Sequence, residues 1–165
     1  MLNASFDRAA LDPFTPFALS GQDCLTAPKS RVVVISRCLP AQVEPACNAL
    51  ERFARSDDGH TLLFWIESPT PVPPGELWID GGPGASADLV RSVASRALHV
   101  MAHRRQQARL LFAAFHPAQV NDVVEPLLPA TVIAPRPDIA SATDATPWQD
   151  IAMCIRHLRC PVTVA

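Results

Sequence analysis

The chain has 165 residues, a length that predicts a single domain large enough to bury a hydrophobic core. Its 48% hydrophobic and 18% charged content excludes an intrinsically disordered protein, and its net charge of -2 provides no general attraction for nucleic acid or anionic membranes. No apolar run reaches the roughly 20 residues that span a bilayer, so we expect neither nucleic acid nor a membrane as a partner.

Residue types that are rare or absent exclude further classes of protein. Lys29 is the single lysine and lies outside any Gly-x-x-x-x-Gly-Lys context, which excludes a Walker-type phosphate loop. The five cysteines show no Cys-x-x-Cys spacing, and their odd number favours reduced thiols over a disulfide scaffold. The first residues lack a basic start followed by an apolar core, so we expect no signal peptide and a cytoplasmic location.

Strands and helices are predicted to alternate from residue 31 to residue 165, and residues 1–30, with several prolines, are predicted to form an amino-terminal arm. In chain order the prediction is a strand over 31–36, a helix over about 41–55, a strand over 61–67, a helix over about 86–107, a strand over 110–115, a short helix between Pro117 and Pro126, a strand over Thr131–Ala134, a helix from Thr146 and a strand over Val162–Val164. This order predicts an α/β domain with a parallel sheet covered on both faces.

A proline- and glycine-rich insertion, residues 68–86, interrupts this alternation. Within it, residues 77–80 can form a short extra strand. The link from the preceding strand is too short for a parallel crossover, so any pairing there is predicted to be antiparallel or peripheral.

Helical spacing predicts which side chains enter the core. The predicted inner stripes are Val43, Ala46, Cys47, Leu50, Phe53 and Ala54 on the first helix, Val90, Val93, Ala94, Ala97, Leu98 and Met101 on the second, and Ile151, Cys154, Ile155 and Leu158 on the last.

Two short segments carry a resemblance to a known family. A His116-Pro117 turn follows the third strand, and the chain closes with Arg156-His-Leu-Arg-Cys-Pro-Val-Thr-Val164. With the order of elements, these segments resemble the universal stress protein family over residues 31–165, outside the arm and the insertion. The resemblance implies a single three-layer domain of the adenine nucleotide alpha hydrolase-like type. Its five-stranded parallel sheet would have the strand order 3-2-1-4-5.

The resemblance also implies where a nucleotide would bind, and the chain departs from the family pattern there. Nucleotide-binding members place an acidic residue after the first strand, where this chain has Ser36, Arg37 and Cys38. They place a glycine-rich loop after the fourth strand, where residues 134–147 contain no glycine. Glycines allow backbone N–H groups to approach phosphates. We therefore expect a degenerate member without a cofactor, with ATP as the alternative.

Five residues just beyond the carboxyl ends of predicted strands are the candidate ligand-binding residues. They are Arg37, Cys38, His116, Arg136 and Asp138. Ligands of open parallel sheets bind along this edge, and the arginines would favour an anion. The alternative is that these side chains only pair with one another at the rim.

Three other patterns suggest chemistry, and each has a simpler structural interpretation. The loop from Gly81 to Ser86 can cradle an anion but also suits a plain turn into a helix. The His99 and His103 pair has metal-ligand spacing, but no third ligand is visible nearby, so a solvated basic face is the favoured interpretation. A helix after Cys38 can activate its thiol, whereas most free cysteines are simply packed.

The function predicted from the sequence is that of a universal-stress-like domain that acts by dimerisation and by binding a protein partner rather than as an enzyme. The predicted dimer contact is the edge strand formed by Val162, Thr163 and Val164. The alternative is a sensor of a nucleotide or another small anion with a remodelled pocket. Hydrolase chemistry through Ser86 or Cys38 lacks an assignable base.

Overall fold

The computed structural model of the chain describes residues 32–53, 59–79, 87–136 and 146–165. The predictions for the arm, for Ala54, for the loop at 81–86 and for Asp138 lie outside these residues. The strands are β1 (Val32–Arg37), β2 (His60–Glu67), β3 (Arg109–Phe115), β4 (Thr131–Ala134) and β5 (Val162–Val164). The helices are α1 (Val43–Phe53), α2 (Ala87–His103), α3 (Val120–Val124) and α4 (Thr146–His157).

The five strands form one sheet in the order β3-β2-β1-β4-β5, and every pairing between neighbours is parallel. This confirms the predicted fold class and strand order. The central pair has a continuous register that runs from Val32 opposite His60 to Arg37 opposite Trp65. Such a register suits β1, whose β-branched residues fit a strand that is covered on both sides.

The alternation of side chains along the strands divides the core into two layers. On one face, Val34, Leu62 and Phe112 pack with α1 and α2; on the other, Ile35 and Trp65 pack with α3 and α4. We call these the α1/α2 face and the α3/α4 face. Because successive strand residues point to opposite faces, the middle of each central strand must be apolar at consecutive positions, as residues 32–35 of β1 and 62–66 of β2 are.

The predicted helix stripes enter the core with one exception. Val43, Ala46, Cys47 and Leu50 of α1 are buried, but Phe53 is 40% exposed, so its predicted burial is wrong. Phe53 is the last residue of α1. Helical periodicity gives the direction of a side chain, but it carries no information on how far the core extends beneath the final turn.

Residues 68–79 of the insertion, which we call the strap, run to the outer side of β3. Trp78 forms an isolated antiparallel bridge with Ala113, as the short link requires. Leu77 inserts into the α3/α4 face and is 4% exposed. The strap is therefore part of the folded domain. Within the described residues, no helix is both long and apolar enough to cross a membrane.

The last helix is tied to α3 by one side chain. Asn121 donates from its amide nitrogen to the backbone oxygen of His157, and its side-chain oxygen accepts from the backbone N–H of Arg159 at 3.1 Å. These two bonds hold the end of α4 against α3 and so set where the chain turns into β5.

Candidate functional site

A cleft of about 430 Å³ opens between α1 and the ends of β4 and β5. Its walls are formed by Ala41, Glu44, Pro45, Asn48, Ala49 and Arg52, by Arg96 of α2, and by Pro135, Arg136 and Ala165. Pro45, Asn48 and Arg52 share one side of α1 because they are spaced three and four residues apart. The cleft therefore lies beside the carboxyl end of the sheet rather than directly over it.

The charged side chains make this cleft a cationic one. Arg96 donates to the Glu44 carboxylate at 3.3 Å, which balances the single acidic group of the walls. Arg52 and Arg136 are exposed, and neither forms an ion pair within the described part of the chain. Two guanidinium groups therefore face the solvent of one cleft, an arrangement that suits a carboxylate or phosphate.

Arg37 is the last residue of β1, and its side chain contacts two residues of the neighbouring strand β2. Its guanidinium group is 3.4 Å from the Glu67 carboxylate and 4.9 Å from the centre of the Trp65 ring. Since Trp65 belongs to the α3/α4 face, Arg37 does not line the cleft beside α1. The ion pair and the ring contact together hold this arginine along the sheet edge.

Cys38 follows Arg37 and is buried, with 2% of its surface exposed. Burial disfavours the thiolate and raises the pKa of Cys38 to about 12, although the nearby Arg37 charge opposes the shift. At neutral pH the side chain is a protonated thiol. This state favours the structural interpretation of Cys38 over a nucleophilic one.

His116 caps a turn of 3-10 helix over Pro117–Gln119. The ring nitrogen Nδ1 of His116 accepts from the backbone N–H of Ala118 at 3.2 Å, and the backbone N–H of His116 donates to the side-chain oxygen of Gln119 at 3.2 Å. His116 directly follows β3, which is separated from β4 by β2 and β1. Three strand spacings place it roughly 14 Å from the β4 end, so the structure does not bring it to the cleft.

Of the predicted ligand-binding residues in the described ranges, only Arg136 borders the cleft. Asn48, Arg52 and Arg96 were not predicted, because a polar stripe on a helix normally indicates a solvated face. The four-residue spacing of Asn48 and Arg52 indicates that they share one side of α1. The sequence does not indicate that this side faces the end of β4, and this is why neither residue was predicted to line a site. His99 and His103 are exposed, and the described residues contain no group of three metal-binding side chains.

Comparison with known proteins supports the fold alone. No protein-family model and no curated protein sequence matches the chain. A solved structure of a universal stress protein family member from Burkholderia pseudomallei is similar with a TM-score of 0.50 and 12% identity, covering 84% of this chain and 98% of that chain. A universal stress protein family protein from Arabidopsis thaliana, solved with AMP bound, gives a TM-score of 0.48 and 16% identity over 82% and 90% of the two chains.

The likeness to the Burkholderia pseudomallei structure shows that the chain has the universal stress protein fold, as the sequence resemblance implies. The two segments that carry the sequence resemblance lie where it implies: the turn at His116 follows β3, and the closing strand is β5 at the edge of the sheet. A fold of this kind hosts several functions, so the function has to be argued from the surfaces of this chain.

Proposed function

We propose that the chain is a universal-stress-type domain that associates with a second copy through β5, presents the resulting dimer to a protein partner, and carries out no chemistry of its own. The observation that carries the proposal is the open outer edge of β5, which pairs only with β4 among the described strands. The segment between residues 134 and 147, which contains no glycine, supports a role without family-type ATP binding.

The hydrogen bonds of β5 determine which backbone groups face outward. The N–H of Val132 donates to Pro161 at 2.9 Å, and the N–H of Ala165 donates to Ala134 at 3.0 Å. In a strand the direction alternates at each residue, so Thr163 also faces β4. The N–H and C=O groups of Val162 and Val164 consequently point away from the sheet.

These outward groups are self-complementary under a two-fold axis. Antiparallel pairing places Val162 opposite Val164 of a second copy and centres the contact on Thr163. Each Val pair exchanges two hydrogen bonds, so the contact forms four. No charged side chain occurs within β5 to oppose this approach, as charged residues often do at protected edges.

Four hydrogen bonds are not sufficient for a stable dimer by themselves. At about 1 kcal/mol each they contribute roughly 4 kcal/mol, which only matches the low end of the cost of association. Apolar burial must supply the remainder. Val164 is 37% exposed and Met153, on the preceding helix, is 47% exposed. We therefore expect a weak dimer, which is best measured at high protein concentration.

The test is sedimentation velocity over a wide concentration range on the protein and on Val162→Pro. Proline at this position removes an N–H that faces outward, so the bonds within the sheet remain and the monomer should fold. The matched control, Val162→Ala, keeps the N–H and should remain a dimer. Val164→Lys, which places a charge on the open edge, should also give monomers. A folded Val162→Pro or Val164→Lys protein that still dimerises would refute the proposal.

The cationic cleft supports a second function, a sensor of a small anion. Arg52 and Arg136 would bind a phosphate or carboxylate group, and a ligand present at 100 times its Kd would stabilise the fold by about 2.7 kcal/mol. Thermal unfolding with AMP, ATP or inorganic phosphate measures this gain. It should disappear in Arg52→Ala and Arg136→Ala and persist in the control Arg159→Ala. No shift with any of the three anions would exclude this function for them.

A further inference from the structure

The outer side of β3 is the other end of the sheet, and the strap lies along it. We infer that the strap blocks this edge against strand pairing with other chains and so makes the assembly through β5 a closed dimer instead of a growing sheet. The part of this inference that concerns the dimer rests on the function proposed above; the blocking of β3 does not.

The strap occupies backbone groups of β3 that would otherwise receive another strand. The N–H of Ile79 donates to the C=O of Phe112 at 2.9 Å, and the N–H of Ala114 donates to the C=O of Leu77 at 2.8 Å. Both β3 residues point their backbone groups away from β2 at these positions. The middle of the edge is therefore already paired, antiparallel, by the chain itself.

Three contacts hold the strap in place. The N–H of Ser68 donates to the C=O of Phe115 at 3.1 Å where the strap begins. Further along, the side chain of Gln119 binds both backbone groups of Val72: its oxygen accepts at 2.9 Å and its nitrogen donates at 2.7 Å. At its end, Leu77 is buried in the α3/α4 face.

The composition of the strap prevents it from becoming a new edge. Its first seven residues include Pro69, Pro71, Pro73 and Pro74, which have no N–H to offer to a further strand. Only the bridge at Trp78 follows strand geometry. The strap thus ends the sheet, as a cap of irregular chain does at protected edges of other sheets.

The consequence for assembly follows from symmetry. A chain with two available edges forms two different two-fold contacts, β5 with β5 and β3 with β3, and alternating these contacts produces an open filament. A chain with one available edge stops at two copies. The strap therefore determines whether pairing through β5 ends at a dimer or continues.

The experiment combines strap and edge variants in sedimentation velocity. Leu77→Asp places a carboxylate in an apolar site and should release the strap. In the otherwise unchanged protein, Leu77→Asp should produce assemblies larger than a dimer, and their size should increase with protein concentration. In the Val162→Pro background, the same substitution should give dimers through β3 and nothing larger. Folding of each variant is checked by circular dichroism.

A milder variant measures the strap directly. Gln119→Ala removes the two hydrogen bonds to Val72 and also the bond from the backbone N–H of His116, and we expect the amide of Ala114 to exchange its hydrogen about tenfold faster as the strap loosens. Gln107→Ala, an exposed glutamine elsewhere, is the control and should leave the exchange rate unchanged.

The possible failures can be told apart. If the unaltered protein is a monomer but Leu77→Asp or Gln119→Ala creates concentration-dependent dimers, the proposal for β5 is wrong and the blocking of β3 stands. If folded Leu77→Asp sediments like the unaltered protein at every concentration, and Gln119→Ala leaves exchange at Ala114 unchanged, the inference about the strap is overturned.

Discussion

The buried thiol of Cys38 should make the protein lose stability in mild alkali. Its pKa is raised from 9.0 to about 12 because burial excludes the thiolate from the folded state. In the unfolded chain the same thiol ionises at its ordinary pKa. Stability from the neutral thiol is therefore fully present below about pH 9 and is lost as the pH rises toward 12.

The size of the loss follows from the two pKa values. At pH 10 the unfolded state gains about 1–2 kcal/mol by ionising Cys38, whereas the folded state gains almost nothing. Cys47, whose pKa burial raises to about 11, contributes a similar amount. Together they predict a loss of roughly 3 kcal/mol between pH 8 and pH 10, a large part of the 5–15 kcal/mol typical of a domain.

The composition of the chain simplifies the interpretation of this pH dependence. The protein has no tyrosine and a single lysine, Lys29, so its five cysteines are the main side chains that titrate between pH 9 and pH 11, and the Cys38→Ala variant isolates the contribution of one of them. Urea unfolding, followed by circular dichroism at pH 8 and pH 10, gives the free energy of unfolding for the unaltered protein and for Cys38→Ala. The free energy of unfolding of the variant should fall by about 1–2 kcal/mol less over this range. An equal loss in both proteins would refute the argument from burial.

Three further predictions concern packing and thiol access. Phe112→Ala, which removes a ring stacked on Phe64 in the α1/α2 face, should lower the free energy of unfolding by about 3–5 kcal/mol in urea, and a loss below 1 kcal/mol would contradict the described core. Asn121→Ala leaves two backbone groups at the end of α4 without their partner and should lower the free energy of unfolding by about 1–2 kcal/mol. Asn121→Asp should lower it by less, because its carboxylate can still accept from the backbone N–H of Arg159. Among the four cysteines that the structure describes, half-buried Cys160 should react with iodoacetamide before Cys38 at pH 8, as peptide mass mapping can show, and earlier alkylation of Cys38 would be inconsistent with its burial.

The sheet was predictable from the sequence because its strands are buried on both faces. Continuous apolar runs such as the one in β1 occur where helices cover both sides, and their alternation with helical stripes leaves few topologies. Helix ends were less predictable: Phe53 follows the helical period but lies 40% exposed. A period describes a direction around the helix, and the limit of the core depends on the lengths of other elements.

The candidate site was less predictable than the fold for a related reason. The strand-end rule suggested Arg136, which borders the cleft, and it also suggested Arg37 and His116, which the structure holds by an ion pair to Glu67 and by a capping turn. Which strand-end side chains share a cleft depends on the spacing between strands and on the face to which each points. Arg52 could be identified only after α1 was placed against the end of β4.

The central place of β1 in the sheet also shapes how the protein is made. Val32 pairs with His60 on one side and, after most of the remaining chain, with Thr131 on the other. Contacts so distant along the chain form slowly, and a ribosome releases the amino-terminal strands before β4 exists. During that interval one side of β1 has no partner, although Val33, Val34 and Ile35 are fully buried in the finished domain. The central, fully buried strand of the native protein is thus an exposed apolar edge during synthesis, and we expect chaperones to bind it at that stage.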